Sequence, residues 1–215
     1  MYIEKANVEI MSDNDYQKML KKIEKIGRVC YKSEDKIKED SAEKFIKGII
    51  KRGHESVIEH ENISVRFICD RGVSHEIVRH RIASYSQEST RYCNYHQEKY
   101  GRQITCIDIA TGFKYDLNNP IDYKKYQIWM DAMKSAEESY FKMIELGASP
   151  QEARSVLPNS LKTEIIATIN IREWRHLLKL RTSKASHPQF REVANMLLQL
   201  FAKEYPVFFE DLLEQ

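Results

Sequence analysis

A stretch of fourteen residues in the middle of the chain, positions 79–92 (RHRIASYSQESTRY), is rich in hydrogen-bond donors and contains no apolar run long enough to be buried. It holds three arginines, one histidine and three serines. Guanidinium groups match phosphate oxygens through paired hydrogen bonds, so a domain rarely collects such donors without an anion to receive them. The stretch therefore predicts a binding site for one or more phosphorylated small molecules.

The composition limits the class of protein. A chain of 215 residues with 42% hydrophobic and 31% charged residues is typical of one folded soluble domain, which we expect to span 1–215. The net charge of +2 makes the cationic stretch a local feature and disfavours a general nucleic-acid binder. The four cysteines form no Cys-x-x-Cys pair, no signal peptide is visible, and no apolar run approaches the roughly 20 residues of a membrane span. We therefore expect a cytoplasmic protein with reduced thiols.

The pattern of apolar residues predicts a mixture of helices and strands. Helical spacing favours helices near 16–26, 40–53, 73–77, 120–146, 150–158, 172–181 and 190–201. Alternation favours strands near 2–10, 63–67, 104–109 and 163–170, whereas 82–101 is interpreted as an ordered loop. We predict a helix-rich α+β domain with a central, mostly antiparallel sheet. The chain contains no Gly-x-Gly sequence and therefore no Rossmann motif, so side chains must hold any bound nucleotide.

Two other regions carry side chains that could complete the site. Residues 54–60 contain two histidines and two carboxylates, but His54 and His60 are six positions apart, off a common helical face. This spacing favours a wall for an organic ligand over a metal site. The C-terminal region contributes Arg154, Asn170 and a helix from 172 with a basic face, which on its own is equally typical of a solvated surface.

Two alternative functions can be proposed for these regions of the sequence. A nucleic-acid-binding module could clamp phosphates with arginines and stack bases on tyrosines, since Arg79, Arg81, Arg91 and Arg102 alternate with Tyr85, Tyr92, Tyr95 and Tyr100. A metal-dependent phosphohydrolase could use His54, Glu59 and His60.

Taken together, the motifs resemble a known enzyme family. The pattern Arg-His-Arg-x-x-Ser at 79–84, followed by Ser-x-Arg-Tyr at 89–92, is similar to the signature of the flavin-dependent thymidylate synthases. Further matches follow in the family's order and extend over about 28 to 195: RVCY at 28–31, GHES and EH within 53–60, AR and LP within 153–158, N-x-R at 170–172 and LR at 180–181.

The resemblance implies a reaction, its cofactor and its partners. Members of the family make dTMP from dUMP, with methylenetetrahydrofolate as one-carbon donor and NADPH as reductant acting through bound FAD. The resemblance implies electrostatic activation of the pyrimidine without a protein nucleophile and without a metal. It also implies a homotetramer with active sites at subunit interfaces, and no nucleic-acid or membrane partner.

The resemblance also assigns roles residue by residue. Arg181 matches the position that polarises the uracil ring, and it is our prediction for the catalytic residue. The predicted cofactor-binding residues are His54, Ser56, Glu59, Arg79, His80, Arg81, Asn170, Arg172 and His176. The predicted substrate-binding residues are Glu76, Arg79, Gln87, Ser89, Thr90, Arg91, Arg154 and Arg181.

The chain departs from the family's usual pattern near the substrate. It reads Ser-Gln-Glu-Ser at 86–89 where the family usually reads Asn-Glu-Gln-Ser, so the carboxylate comes one position late. Glu76 stands where glutamine is common, His176 stands where asparagine is common, and the stretch 182–188 is two residues longer. Exchanging glutamine for glutamate beside a phosphate changes the local charge by one unit, so these departures bear directly on how dUMP is held.

Overall fold

A computed structural model of the chain describes residues 1–214. Within this range the strands are β1 (Tyr2–Glu4), β2 (Asn7–Ile10), β3 (Asn62–Asp70), β4 (Ala83–Gln87), β5 (Thr105–Ile107) and β6 (Lys162–Asn170). The helices are α1 (Tyr16–Val29), α2 (Ser41–Lys51), α3 (Arg71–Ile77), α4 (Ile109–Phe113), α5 (Pro120–Glu145), α6 (Pro150–Ala153), α7 (Ile171–Arg181), α8 (Pro188–Glu204) and α9 (Pro206–Phe209). Short 3₁₀ turns cover 34–36, 55–60, 98–100, 154–156 and 210–212.

The central sheet has four antiparallel strands in the order β2-β3-β6-β4. Strands β3 and β6 pair over nine residues each, from Asn62 opposite Asn170 to Asp70 opposite Lys162. Side chains alternate between the two faces of a strand, and every second residue of β3 and β6 is buried. The predicted helix-rich α+β fold with a mostly antiparallel sheet is confirmed; β1 and β5 form a separate parallel pair.

The main core lies between the sheet and helices α1, α2, α7, α8 and α9. Trp174 of α7 packs against Phe67 of β3, with ring centroids 6.2 Å apart, and its indole N–H donates to the carbonyl of Ile63 at 3.0 Å. A second hydrophobic cluster joins Tyr140 of α5 to β5 and to Leu161. Both clusters lie next to β6, which therefore fixes the position of α7 relative to the rest of the chain.

Buried charge also fixes α7. The guanidinium of Arg175, whose side chain is 2% exposed, contacts both carboxylate oxygens of Asp211 at 2.7 Å and Glu55 at 3.2 Å. Burying a charge is costly unless it is paired, so Arg175 holds α7 against the turn at 55–60. The exposed side of α7 thereby faces residues of the 54–60 region.

Three of the predicted elements are wrong in type or extent. The strand predicted at 2–10 is divided at Lys5 and Ala6 into β1 and β2, which belong to different sheets. The stretch 82–101, predicted as a loop, contains β4, because its backbone pairs with the apolar strand β6. Ile109 begins helix α4, capped by Asp108, instead of ending a strand. The capping box predicted at the start of α6, between Ser149 and Glu152, is confirmed.

Candidate active site at the ends of helices α3 and α7

The arginine-centred cluster, defined as Glu76, His80, Arg181 and Phe190, forms where α7 ends beside α3. Arg181 donates from Nη1 to Glu76 Oε2 at 2.7 Å and from Nε to His80 Nε2 at 3.1 Å. Its guanidinium carbon lies 4.6 Å from the centroid of the Phe190 ring, a cation–π distance. Because three groups from separate elements hold it, this guanidinium is preorganised while its side chain remains 17% exposed.

The hydrogen bonds of His80 assign its proton. Its Nε2 accepts from Arg181, which can only donate, so Nδ1 carries the hydrogen and donates to Glu173 Oε1 at 3.3 Å. Burial lowers the pKa of His80 below its ordinary value of 6.5, and the neighbouring Arg181 adds to this effect, whereas the hydrogen bond to Glu173 opposes it. We therefore treat His80 as a neutral imidazole at pH 7, and its contact with Glu173 as a hydrogen bond, not as an ion pair.

The ligand atoms of His80, Glu173 and His176 lie within 4.8 Å of one another, close enough for a metal to join them. Before His80 Nδ1 could bind a metal, the proton on that nitrogen would have to leave. If this proton moved to Nε2, the hydrogen bond that Nε2 accepts from Arg181 would be lost. The residues predicted for the alternative metal site, His54, Glu59 and His60, do not form such a group within residues 1–214.

The α7 pocket is a cavity of about 460 Å³ beside this cluster. It is lined by Glu55, Glu59, Ile82, Asn170, Arg172, Glu173, His176 and Lys179. Four of the predicted cofactor-binding residues line it together, namely Glu59, Asn170, Arg172 and His176.

Two of these four residues are also engaged within the chain. Arg172 contacts the carboxylate of Glu59 at 2.5 Å, which raises the pKa of the arginine. Asn170 caps α7 by accepting a hydrogen bond from the backbone N–H of Glu173 at 2.9 Å. The pocket thus offers two cations, an amide, an imidazole and carboxylates within one concave surface.

Of the five other predicted cofactor residues, all but His80 lie at the surface. His54 is exposed and its Nδ1 lies 2.7 Å from the hydroxyl of Tyr31, with the two rings stacked. Ser56, Arg79 and Arg81 are also exposed. Thus the structure brings His80 to the arginine-centred cluster but places the two flanking arginines of the Arg-His-Arg motif on the surface.

The second group of predicted substrate residues surrounds a separate cleft. The phosphate cleft, as we call this cavity of about 340 Å³, is lined by Arg71, Thr90, Arg154, Ser155, Leu157, Pro158 and Asn159. Arg154 reaches the hydroxyl of Thr90 at 3.4 Å, and Ser89 accepts from the backbone N–H of Arg91 at 3.3 Å. No lining residue is shared with the α7 pocket.

The exchanged residues at 87 and 88 bind within the chain. Gln87 donates from Nε2 to Ser74 Oγ at 2.9 Å and to Thr163 Oγ1 at 3.2 Å. Glu88 accepts from the hydroxyl of Tyr95 at 2.9 Å. Both exchanged residues therefore have hydrogen-bond partners inside the fold. The amide of Gln87 donates to two hydroxyl groups, and the carboxylate of Glu88 accepts from a tyrosine.

Several residues of these sites were not predicted from the sequence, and three of them contribute to the argument. Glu173 and Phe190 orient His80 and Arg181, and Arg71 lines the phosphate cleft. Arg71 lies eight positions before the Arg-His-Arg motif, directly after a strand, and only its charge could have drawn attention to it. The contacts of Glu173 and Phe190 depend on packing between elements distant in sequence.

A preorganised guanidinium beside a concave polar pocket is the arrangement expected of a small-molecule site. Residues 14–207 match the family described as thymidylate synthase complementing protein. The chain is 32% identical to the flavin-dependent thymidylate synthase of Geobacter sulfurreducens, over 86% of this chain and 78% of the relative. It is 34% identical to that of Pyrococcus furiosus, over 82% and 69%. The chain belongs to the family of flavin-dependent thymidylate synthases.

The fold agrees with a solved structure of lower sequence similarity. The UMP/dUMP methylase PolB from Streptomyces cacaoi, solved with 5-Br dUMP, superimposes with a TM-score of 0.79. The comparison covers 98% of this chain and 96% of the PolB chain at 23% identity, which supports the fold alone. Among residues 1–214, none of the helices combines the length and apolar character needed to cross a membrane.

Proposed function

We propose that this protein is an FAD-dependent thymidylate synthase that converts dUMP to dTMP. Methylenetetrahydrofolate is the one-carbon donor and NADPH the reductant in this proposal. The observation that carries it is the Arg181 guanidinium, which Glu76, His80 and the Phe190 ring hold in one position. A fixed cation stabilises negative charge that develops on a pyrimidine, and it does so without reorganising during the reaction.

The α7 pocket is our candidate for the flavin. Arg172 and Lys179 suit phosphate oxygens, while Asn170 and His176 offer groups that can hydrogen-bond to a flavin ring. FAD, when bound, would supply the hydride for the reaction. His54, Ser56, Arg79 and Arg81 remain proposed cofactor contacts, and all four are exposed to a ligand that binds at the surface.

The nucleotide is assigned to the residues around Arg181 and the phosphate cleft. Glu76, Ser89, Thr90, Arg91 and Arg154 are the proposed contacts together with Arg79, Gln87 and Arg181. The amide of Gln87 is already bound to Ser74 and Thr163, so any contact it makes with substrate uses its backbone or its carbonyl.

We further propose that no side chain of the protein attacks the uracil ring. Ser89 is hydrogen-bonded to the backbone N–H of Arg91, and burial raises the pKa of the Cys106 thiol to about 12. Burial also raises the pKa of Cys69. A nucleophile needs an adjacent base or a lowered pKa, and none of these three residues has either.

The proposal also includes a single domain over 1–215, a homotetramer and a cytoplasmic location. Predicted nucleotide residues fall into two groups: Glu76 pairs with Arg181, whereas Thr90 and Arg154 line the phosphate cleft, which contains neither of the first two residues. This division supports active sites assembled from more than one subunit. All four cysteines are free thiols, which suits a reducing compartment.

The test is a dTMP-forming assay with dUMP, methylenetetrahydrofolate, NADPH and FAD, in which each component is left out in turn. We expect product only in the complete mixture, and a flavin absorption spectrum from the purified protein. Arg102→Ala is a matched control, because Arg102 is exposed and its contacts are with Glu98. Colourless protein that takes up no added FAD would disprove the proposal.

A further inference from the structure

Two histidines and a glutamate form a ligand set beside the α7 pocket. The ligand atoms of His80, Glu173 and His176 lie within 4.8 Å of one another. Glu173 and His176 are three positions apart on α7 and therefore share one face of the helix, while His80 comes from the segment that follows α3. Two imidazole nitrogens and a carboxylate oxygen are ligands typical of Zn²⁺ and of related divalent transition metals. The three residues thus have the chemistry of a metal site.

The spacing of these atoms fits a tetrahedral ion. In such a site, bonds of about 2.1 Å from zinc to nitrogen and oxygen place neighbouring ligand atoms about 3.4 Å apart. His80 Nδ1 lies 3.3 Å from Glu173 Oε1, which is already close to this separation. The ring of His176 is exposed, and its centroid lies 6.2 Å from that of His80. Rotation of the His176 side chain can therefore bring one of its nitrogens to the same ion.

The α7 pocket gives a metal ion a route of entry and room for water. Glu173 and His176 line this cavity of about 460 Å³, whereas the adjoining His80 is buried. The lining includes three carboxylates and two cations, so an entering divalent ion meets no excess of positive charge. Three protein ligands leave one coordination position for a water molecule from the pocket.

Metal binding changes what His80 offers to Arg181. A nitrogen that binds a metal must present its lone pair, so the proton on Nδ1 moves to Nε2 and the ring remains neutral. Nε2 then donates instead of accepting, although the Nε–H of Arg181 faces it at 3.1 Å. Two donors cannot share this contact. Arg181 therefore loses one of the groups that hold its guanidinium in place and keeps the carboxylate of Glu76.

We propose that His80, Glu173 and His176 form a regulatory site for a divalent transition metal, and that the bound ion inhibits the protein by separating Arg181 from His80. The inference goes beyond the proposed function, because the ion takes no part in the reaction and binds without substrate. His176 stands where the family commonly has asparagine, which offers no imidazole, so the third ligand belongs to one of this chain's departures from the family pattern.

The first test measures binding of Zn²⁺, which is not redox-active and leaves the oxidation state of a flavin unchanged. Calorimetry is performed on the untagged full chain without substrate, and on the variants His176→Asn, Glu173→Gln and His80→Gln. We expect each variant to bind Zn²⁺ at least about 100-fold more weakly, since loss of a ligand exceeds the loss caused by removing a residue that only orients one. His60→Asn is the matched control, because it removes an exposed histidine outside the set and should bind Zn²⁺ like the wild type.

The second test follows the proton of His80 by NMR, with selectively ¹⁵N-labelled histidine and without turnover. We expect the proton on Nδ1 in the metal-free protein and on Nε2 when Zn²⁺ is bound. A proton that stays on Nδ1 at saturating Zn²⁺ would overturn the proposal. Zn²⁺ affinity that is equal in the wild type, His176→Asn and Glu173→Gln would also overturn it.

Inhibition is measured in the dTMP-forming assay, with each variant compared with its own rate in the presence of a chelator. Wild type and His60→Asn should lose activity as Zn²⁺ is added and regain it with the chelator. His176→Asn should require about 100-fold more Zn²⁺ for the same loss. Full activity of the wild type with the site saturated would overturn the regulatory role. Equal inhibition of the wild type and His176→Asn would assign the effect to other groups, such as the exposed thiol of Cys30.

The two proposals can fail separately. If the wild type forms no dTMP but binds Zn²⁺ through His176 with transfer of the His80 proton, the metal site stands and the proposed reaction falls. If dTMP forms but His176→Asn binds Zn²⁺ like the wild type, the reaction stands and the metal site falls. Circular dichroism and thermal unfolding establish that each variant is folded before binding is measured.

Discussion

Arg181 is the residue on which the proposed chemistry depends most. Its charge comes from the sequence, but its position comes from Glu76 and His80, which lie 105 and 101 positions earlier in the chain. Glu76 pairs with Arg181 at 2.7 Å and keeps the guanidinium in place. The carboxylate, where the family commonly has a glutamine, makes that contact an ion pair.

We predict that Arg181→Ala nearly abolishes dTMP formation, with kcat reduced by at least about 100-fold, because the fixed cation is lost from the transition state. FAD content measured by absorbance should stay close to that of the wild type. Arg181→Lys should recover only part of the activity, since an ammonium cannot reproduce the forked contacts to Glu76 and His80. Near-normal turnover in Arg181→Ala would contradict the role assigned to this residue.

A second prediction concerns pH. The neutral form of His80 accepts from Arg181, and protonation removes that acceptor and places a cation beside the guanidinium. The pKa of His80 is lowered by burial, so its contribution to stability is present above the unfolded pKa of about 6.5 and is lost as the pH falls below it. We expect kcat/KM to fall on the acid side with an apparent pKa below 6.5, and this acid limb to be absent in His80→Gln. An identical acid limb in that variant would assign the titration to another group.

At the scale of elements, long periodic helices and buried strands were predictable, while elements defined by pairing were not. Helices α5 and α8 carry clear apolar stripes and were predicted nearly to their ends. Strand β4 was not, because its apolar alternation is limited to Ala83 and Tyr85, and the strand is defined by its hydrogen bonds to β6. The division between β1 and β2 likewise depends on the strands they pair with, which the local sequence does not contain.

The packing of α4 against α8 gives a prediction for stability. A Cβ atom at Gly112 would lie 2.6 Å from Cγ and 3.2 Å from Cα of Gln189, and the second of these atoms is backbone. We therefore expect Gly112→Ala to lower the free energy of unfolding by about 1–3 kcal/mol. At Gly48, in the interior of α2, the nearest atoms belong to the flexible end of Arg52, so Gly48→Ala should raise it by about 0.5–1 kcal/mol. Urea unfolding of both variants checks the opposite signs, and equal shifts would contradict the packing argument.

At the scale of the whole molecule, the proposed nucleotide residues fall into two groups on one chain. Glu76 and Arg181 belong to the arginine-centred cluster, whereas Thr90 and Arg154 belong to the phosphate cleft. The family motifs in the sequence predicted that all four residues bind the nucleotide. They could not predict that the residues fall into two separate groups, because this depends on how β6 and α7 position Arg181.

A mixing experiment tests whether sites combine residues of different subunits. Arg154→Ala and Arg181→Ala should each be nearly inactive alone. If one active site takes Arg154 from one subunit and Arg181 from another, random hybrids should regain about one quarter of the wild-type sites. The mixture is prepared by co-expression, and each variant co-expressed with itself is the control. No recovery in confirmed hybrid oligomers would place both residues in the same chain.

Strand β4 has a consequence for the length of the central motif. Its five residues span about 16 Å of extended chain between the Arg-His-Arg segment and the Ser-Thr-Arg segment. The strand thus sets the distance between Arg81, just before it, and Ser89, soon after it. Single substitutions within β4 leave this distance unchanged. Inserting or deleting one residue would turn the strand's following side chains to the opposite face of the sheet. Variation among related proteins should therefore be found in the residue types of this segment and not in its length.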